Sequence, residues 1–175
     1  MTQRARYLAE IRLIFPPGYT EREFVVNLLG AVGIPIVVVT SQIRVAFWNE
    51  AFALASPRIE DISDQALGER VEAIIPEFSD PIRNRDWIAT IAGVMLSGQS
   101  YTEKRVPLRL GAGAPRPRDV AVHALRRRDG AVLGAVVVMA DVSEQVMLER
   151  RLLRIARTTS LANLGAAVAH EIRNP

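Results

Sequence analysis

The chain contains no cysteine among its 175 residues. Disulfides, thiolate metal sites, cysteine nucleophiles and a flavin–cysteinyl photoadduct are therefore excluded, and a reducing compartment is compatible with the composition. Lysine is nearly as scarce. Lys104 is the one lysine, so the net charge of +3 and the pI near 9.9 come from arginine. Together with abundant alanine, that bias reads as overall composition and not as a binding surface. Arg126, Arg127 and Arg128 sit beside a turn, and Arg150, Arg151, Arg154 and Arg157 fall on a helix. Neither cluster has interleaved aromatics or a nucleic-acid motif, so a solvated face accounts for them and no nucleic-acid partner is expected. Long apolar runs are missing too. Residues 34–40 and 131–140 are strand-length, far short of the ~20 residues a membrane-spanning helix needs. Glu10 and Arg12 interrupt the apolar part of the first fifteen residues, which make no convincing signal peptide. A soluble, cytoplasmic protein without a membrane partner is the expectation.

What is present is an apolar content of 49%, enough for a packed core, on a chain long enough for one ordinary domain plus an extension. Residues 1–15 could form a short amphipathic helix with Tyr7, Leu8, Ile11 and Phe15 on one side, and Pro16-Pro17-Gly18 breaks it. Thr20 and Glu23 fit a capping box for a helix over 21–30, with Phe24, Val25, Leu28 and Leu29 facing a core. Residues 34–40 are rich in β-branched side chains and read as a strand, Ser41-Gln42 as a turn and 43–48 as the hairpin partner. Asn49 is placed to cap a short helix over 50–55. Short helical turns follow over 58–82, then a longer helix over 84–96 with Trp87, Ile88, Ile91, Val94 and Met95 at helical intervals, ended by Ser97-Gly98. Strands are predicted over 101–110, 120–126 and 133–140, with a flexible connection over 111–117 and a hairpin at Asp129-Gly130. The last strand is wholly apolar and central in character. Two strands, short helices, one longer helix, three strands and a long helix make an α+β pattern with an antiparallel sheet.

Residues 161–175 read LANLGAAVAHEIRNP. His170 sits among small and apolar residues, Glu171 follows it, and Asn174 lies one helical turn on, sharing the face of His170. Glu171 points about 100° round the same helix. A neutral imidazole with a reference pKa of about 6.5 is a competent nucleophile, and here it has a candidate base and an amide beside it. Asn at 174 excludes the H-E-x-x-H zinc motif. A lone helical histidine is ordinarily a surface or packing residue; the α+β domain and long helix upstream set this one apart.

The run A-H-E-I-R-N-P resembles the phosphoacceptor box of two-component sensor histidine kinases, the soluble nitrogen-regulation and related groups most of all. That resemblance implies that His170 accepts the γ-phosphoryl group of ATP and relays it to an aspartate of a response-regulator receiver domain. It implies that Glu171 orients or deprotonates the imidazole. Asn174 would position the nucleophile, including the water that removes phosphate from the regulator. Phosphoryl transfer asks chiefly for positioning and charge stabilisation. Residues 21–142 in turn resemble a PAS sensor domain. The likeness rests on Phe47-Trp48-Asn49-x-Ala51-Phe52, on Leu67-Gly68 leading to Ile75-Pro76, and on the apolar run from Gly134 into Asp141-Val142-Ser143, close to the Asp-Ile-Thr that joins such domains to an output helix. The expected fold is α+β: a PAS-like five-stranded antiparallel sheet with short helices on one face, then a long C-terminal coiled-coil or dimerisation helix. The expected divisions are 1–20, an N-terminal helical segment or linker; 21–142, the sensor domain; 143–160, a coiled-coil signalling helix; and 161–175, the start of the dimerisation and phosphoacceptor (HisKA) domain.

Residues 143–174 hold no proline and only Gly165. Leu148, Leu152 and Ile155 follow a 4–3 spacing, as a coiled-coil seam does. Leu161, Leu164, Val168 and Ile172 form a second stripe one position out of register, and the offset falls at Thr158-Thr159-Ser160. A homodimer paired along 144–172 is expected. The occupant of the sensor domain, if it has one, stays open: a haem would need an axial ligand, and the second histidine, His123, lies in a predicted strand. Trp48, Phe52 and Trp87 would line a pocket or simply be core. No Gly-rich phosphate loop is present, so ATP would be held by a downstream domain and the chain alone should not phosphorylate itself. The expected function is the N-terminal sensory and phosphoacceptor part of a cytosolic sensor histidine kinase. The alternative is a non-catalytic PAS sensor and dimerisation module that regulates a partner protein and carries an idle His-Glu pair. A transcription regulator is disfavoured, since no helix-turn-helix is visible.

Overall fold

The computed structural model describes residues 20–56, 67–79, 86–111 and 113–173, with the backbone alone for 21, 22, 77, 79 and 159–173. The helix expected within residues 1–15 lies outside them.

Thr20 and Glu23 form the expected capping box. The Glu23 amide donates to Thr20 Oγ1 at 3.2 Å, and the Thr20 amide donates to Glu23 Oε2 at 2.7 Å. These bonds from Thr20 hold the Glu23 carboxyl below the usual carboxylate range. They start helix α1, Glu21–Ala31. Its packing differs from expectation. Phe24 and Leu29 are half-buried, but Val25 and Leu28 stay about half exposed. The helix is held at its C-terminal end through main-chain carbonyls, described below, rather than by a packed apolar face.

Strand β1 spans Ile36–Thr40 and β2 Val45–Trp48, with Ser41-Gln42 in the turn between them. Thr40 Oγ1 accepts from the amides of Gln42 and Arg44, which holds Ile43 at φ 58° in the left-handed region that a β-branched residue seldom adopts. Helix α2, Glu50–Ala55, follows its cap Asn49. Then come α3, Val71–Ile74, and a 3₁₀ turn, Pro76–Ser79. Helix α4 is Trp87–Ser97, starting later than the spacing suggests because Asp86 takes the cap position and accepts from the Ala89 amide at 2.9 Å. Gly98, at φ 75°, ends it, its amide donating to the Val94 carbonyl.

Strands β3, Tyr101–Leu108, β4, Arg116–Arg126, and β5, Val132–Asp141, complete a five-stranded antiparallel sheet in the order β2-β1-β5-β4-β3. The wholly apolar strand is indeed the central one. Strand β4 begins at Arg116, four residues before its predicted start. Its extra residues pair on both sides, Arg116 with Leu108 and Arg118 with Asp141. Pro117 faces the end of β5, where its carbonyl accepts from the Val142 amide at 3.0 Å just past the last residue of that strand, and its ring sits opposite Pro107 of the edge strand.

Strand alternation sends Val37, Val39, Val120, Val122, Ala135, Val137 and Met139 to one face, all buried. Phe52, Ile75, Phe78, Trp87, Ile91 and Val94 cover that face from the helical side. Trp87 is fully enclosed, its ring 5.8 Å from Phe78 and 6.2 Å, edge-on, from Tyr101. Phe52 and Trp87 are therefore core, each contributing about 2–3 kcal/mol through burial, and Trp48 packs half-buried at the margin.

After β5 the backbone runs as one helix, α5, from Ser143 to Arg173. Residue 160, the expected end of the signalling helix, lies within it. Among the described residues, no helix is long and apolar enough to cross a membrane.

Candidate functional site

Two features converge where β5 meets α5. The first is the helix exit. Asp141 ends β5, and its Oδ1 accepts from the Ser143 amide at 2.9 Å, fixing the first turn. Its Oδ2 lies 3.5 Å from Arg116 Nη1 and 3.6 Å from Arg118 Nη2. Burial pushes the Asp141 carboxyl up, but hydrogen bonding from Ser143 and the two arginines outweigh it, and the group stays below its ordinary value. In the second turn of α5, Glu149 meets Arg105 at 2.6 Å. Arg105 is aimed there by a bulge in β3 between Glu103 and Val106; its own φ is 58° and its amide donates to Asp119 at 2.8 Å. Helix α5 is thus joined to the sheet by polar contacts at its start. Its apolar residues Met147, Leu148, Leu152, Leu153 and Ile155 are nonetheless all about half exposed or more.

The predicted seam residues therefore present an uncovered face. At the expected phase offset, the Thr158 hydroxyl donates back to the carbonyls of Ile155, at 2.8 Å, and Arg154, at 3.2 Å. Such back-bonding slightly destabilises helices and often bends them.

The second feature is a cleft of about 600 Å³ between α2 and the end of the sheet. Pro35, Leu54, Leu108 and Leu110 give it apolar walls, and Arg118 and Asp141 line its floor. The sequence reading passed over Arg118. The signal was the odd–even alternation that puts it on the same face as Val120 and Val122, where an arginine is out of place.

His170 and Glu171 lie on the helical backbone of α5; their side chains, and Asn174 altogether, are outside the described residues. The second stripe of Leu161, Leu164, Val168 and Ile172 is likewise described in backbone only. His123 is exposed on β4 with Nδ1 2.8 Å from Ser100 Oγ. Among the described residues no cluster of His, Asp and Glu has the form of a metal site.

The sheet order, the short helices over one face and the Asp-Val-Ser exit define one class of α+β domain. Residues 29–147 match the PAS fold family, and the chain belongs to it. Over 56 residues it is 34% identical to the signal transduction histidine-protein kinase AtoS of Escherichia coli (strain K12). That stretch is 32% of this chain and only 9% of the relative's length. Among solved structures, the PAS domain of Bordetella pertussis BvgS is similar with a TM-score of 0.56 at 21% identity, over 79% of this chain and 98% of that one. An RNA-binding light-oxygen-voltage receptor is similar with a TM-score of 0.56 at 17% identity, over 85% of this chain and 42% of that one. At such identities these two likenesses speak for the fold alone.

Proposed function

We propose that this chain is the sensory and phosphoacceptor portion of a cytosolic sensor histidine kinase that works as a homodimer. The observation that carries the reading is continuity: a PAS sheet leaves through Asp141-Val142-Ser143 into one helix whose backbone runs to His170 and Glu171. His170 attacks the γ-phosphorus of ATP held by a separate ATP-binding domain, ADP leaves, and the phosphoryl group passes to an aspartate of a receiver domain. Glu171 orients or deprotonates the imidazole, and Asn174 positions the nucleophile. The partial likeness to a histidine-protein kinase supports this assignment.

Two copies pair along Leu148, Leu152 and Ile155. A change in the sensor domain alters the start of α5, and the shift in pairing reaches the second stripe across the offset at Thr158. A differential stability of about 2–5 kcal/mol suffices to exchange two such populations.

The decisive experiment adds a separately expressed ATP-binding domain and γ-labelled ATP. Acid-labile, alkali-stable label is expected on the chain, lost in His170→Gln and kept in His123→Gln. The labelling rate is expected to fall about a hundredfold in Glu171→Gln, an ordinary loss for a general base. A dimer that takes no label would instead be a regulatory module with an idle histidine. Pairing has its own test, made simple by the absence of native cysteine. Leu148→Cys, Leu152→Cys and Ile155→Cys are expected to give disulfide-linked dimers on mild oxidation, and failure of all three to link would refute the seam.

A further inference from the structure

Arg118 is 6% exposed, on a face where its strand neighbours Val120 and Val122 are fully buried. A guanidinium carries five N–H donors and keeps its charge at ordinary pH. Nη1 donates to the Met139 carbonyl at 3.2 Å. Nη2 stands 3.6 Å from Asp141 Oδ2, beyond a hydrogen bond. Nε has no hydrogen-bond partner among the described residues. A strut between β4 and β5 would account for the Met139 contact and leave the other donors unexplained, and a buried cation so poorly matched is costly. Asp141 answers it only in part, because its carboxylate is shared with Arg116 and with the Ser143 amide. Burial accordingly pulls the Arg118 pKa down, with Asp141 opposing.

The surroundings say what would complete the match. Arg109 and Arg116 line the same cleft as Arg118, and Asp141 is the one acidic residue among its described lining. Leucine, proline, alanine and glycine make up the rest of that wall. Positive charge at the floor beside apolar walls suits an anion with a hydrocarbon body.

We propose that this cleft binds a small organic carboxylate, its carboxylate group held by Arg118 together with Arg116 and its apolar body lying against Leu54, Leu108 and Leu110. The bound anion competes with Asp141 for Arg118. Asp141 also fixes the first turn of α5, so occupancy bears on the helix exit; this consequence rests on the sensor reading above, whereas binding itself does not.

The test titrates hexanoate into the full chain and follows backbone amide NMR shifts, with hexanamide as the uncharged analogue and inorganic phosphate as the anion without a body. Saturable shifts confined to residues around Leu54, Leu108, Leu110 and Asp141 are expected with hexanoate. Arg118→Met is expected to weaken hexanoate about tenfold, the loss that follows from removing one charge-assisted contact, and to leave hexanamide unchanged. Equal binding of hexanoate and hexanamide, tighter binding of phosphate, or no saturable shift would overturn the proposal. Should Arg118→Met fail to fold, Leu54→Glu decides: the side chain is 72% exposed at the wall, so the variant should fold, and unchanged hexanoate affinity in it would be equally fatal. The titration needs neither ATP nor His170, so its failure and a failure of histidine labelling are read separately.

Discussion

Gly134→Ala is expected to destabilise the domain by about 3 kcal/mol, a large part of the 5–15 kcal/mol that holds an ordinary domain together. Gly134 lies in β5 opposite Thr40 of β1. A Cβ built there would stand 1.9 Å from the Val39 carbonyl oxygen, 2.9 Å from the Val39 carbonyl carbon and 3.1 Å from that of Thr40. All three are backbone atoms of a paired strand, so no side chain can rotate away; the β1–β5 ladder itself must open. Because β5 is the middle strand, opening it disturbs the seat of the buried core on both sides. Gly93 provides a control of opposite sign. It sits within α4, and nothing lies within 4 Å of a Cβ placed there. Gly93→Ala should therefore stabilise by about 0.5–1 kcal/mol through helix propensity. Urea unfolding of both variants measures the pair. A Gly134→Ala midpoint equal to the wild type would show that the sheet yields at its centre without cost.

The residues that made the fold legible are those whose local chemistry and tertiary role agree. Thr20 and Glu23 cap the helix they were expected to cap, Gly98 takes the left-handed position that a helix end favours, and the apolar β5 sits where an all-apolar strand is tolerated on both faces. Boundaries were lost where a tertiary partner overrides local preference. Arg116 and Pro117 look like loop residues, yet β3 and β5 supply partners that draw them into β4. Val25 and Leu28 have the spacing of a buried stripe, but spacing cannot say whether anything packs there. The cleft was hidden for a related reason. Arg118 is conspicuous only once β4 is extended backwards and its parity fixed, and Asp141 reads as a linker residue until Arg116, Arg118 and Ser143 are seen around it. At His170 and Glu171 the backbone is helical, and the box itself remains a pattern of residue types in the sequence.

Asn49 was read as a helix cap, and the expected behaviour of two substitutions separates that role from a larger one. The residue is 2% exposed. Its Oδ1 accepts from the amides of Phe52, at 3.1 Å, and Ile36, at 2.9 Å, so one oxygen starts α2 and satisfies the first residue of β1. Its Nδ2 donates towards three carbonyls, Leu29 at 3.0 Å, Val32 at 3.1 Å and Ile34 at 2.8 Å. One amide thus ties the end of α1, the following turn, β1 and α2 together. Asn49→Ala removes every bond and leaves a buried Ile36 amide unpaired, for an expected loss of about 3 kcal/mol. Asn49→Asp is the sharper variant. Aspartate caps helices about as well as asparagine, so a residue that only caps would lose almost nothing. Here the exchange turns a donor into an anionic oxygen facing three carbonyl oxygens, and the loss at neutral pH should match or exceed that of alanine. The pH dependence carries its own sign. The folded variant disfavours the charged form, so the folded state binds protons more readily than the unfolded chain, whose reference pKa is about 3.9. Stability of Asn49→Asp relative to wild type should then rise as the pH falls from 7 towards about 4, where protonation restores a donor. Thermal unfolding of the wild type and both variants at several pH values measures it. An aspartate variant as stable as the wild type at pH 7 would mean that the three carbonyl contacts contribute nothing, and that Asn49 is a cap and no more.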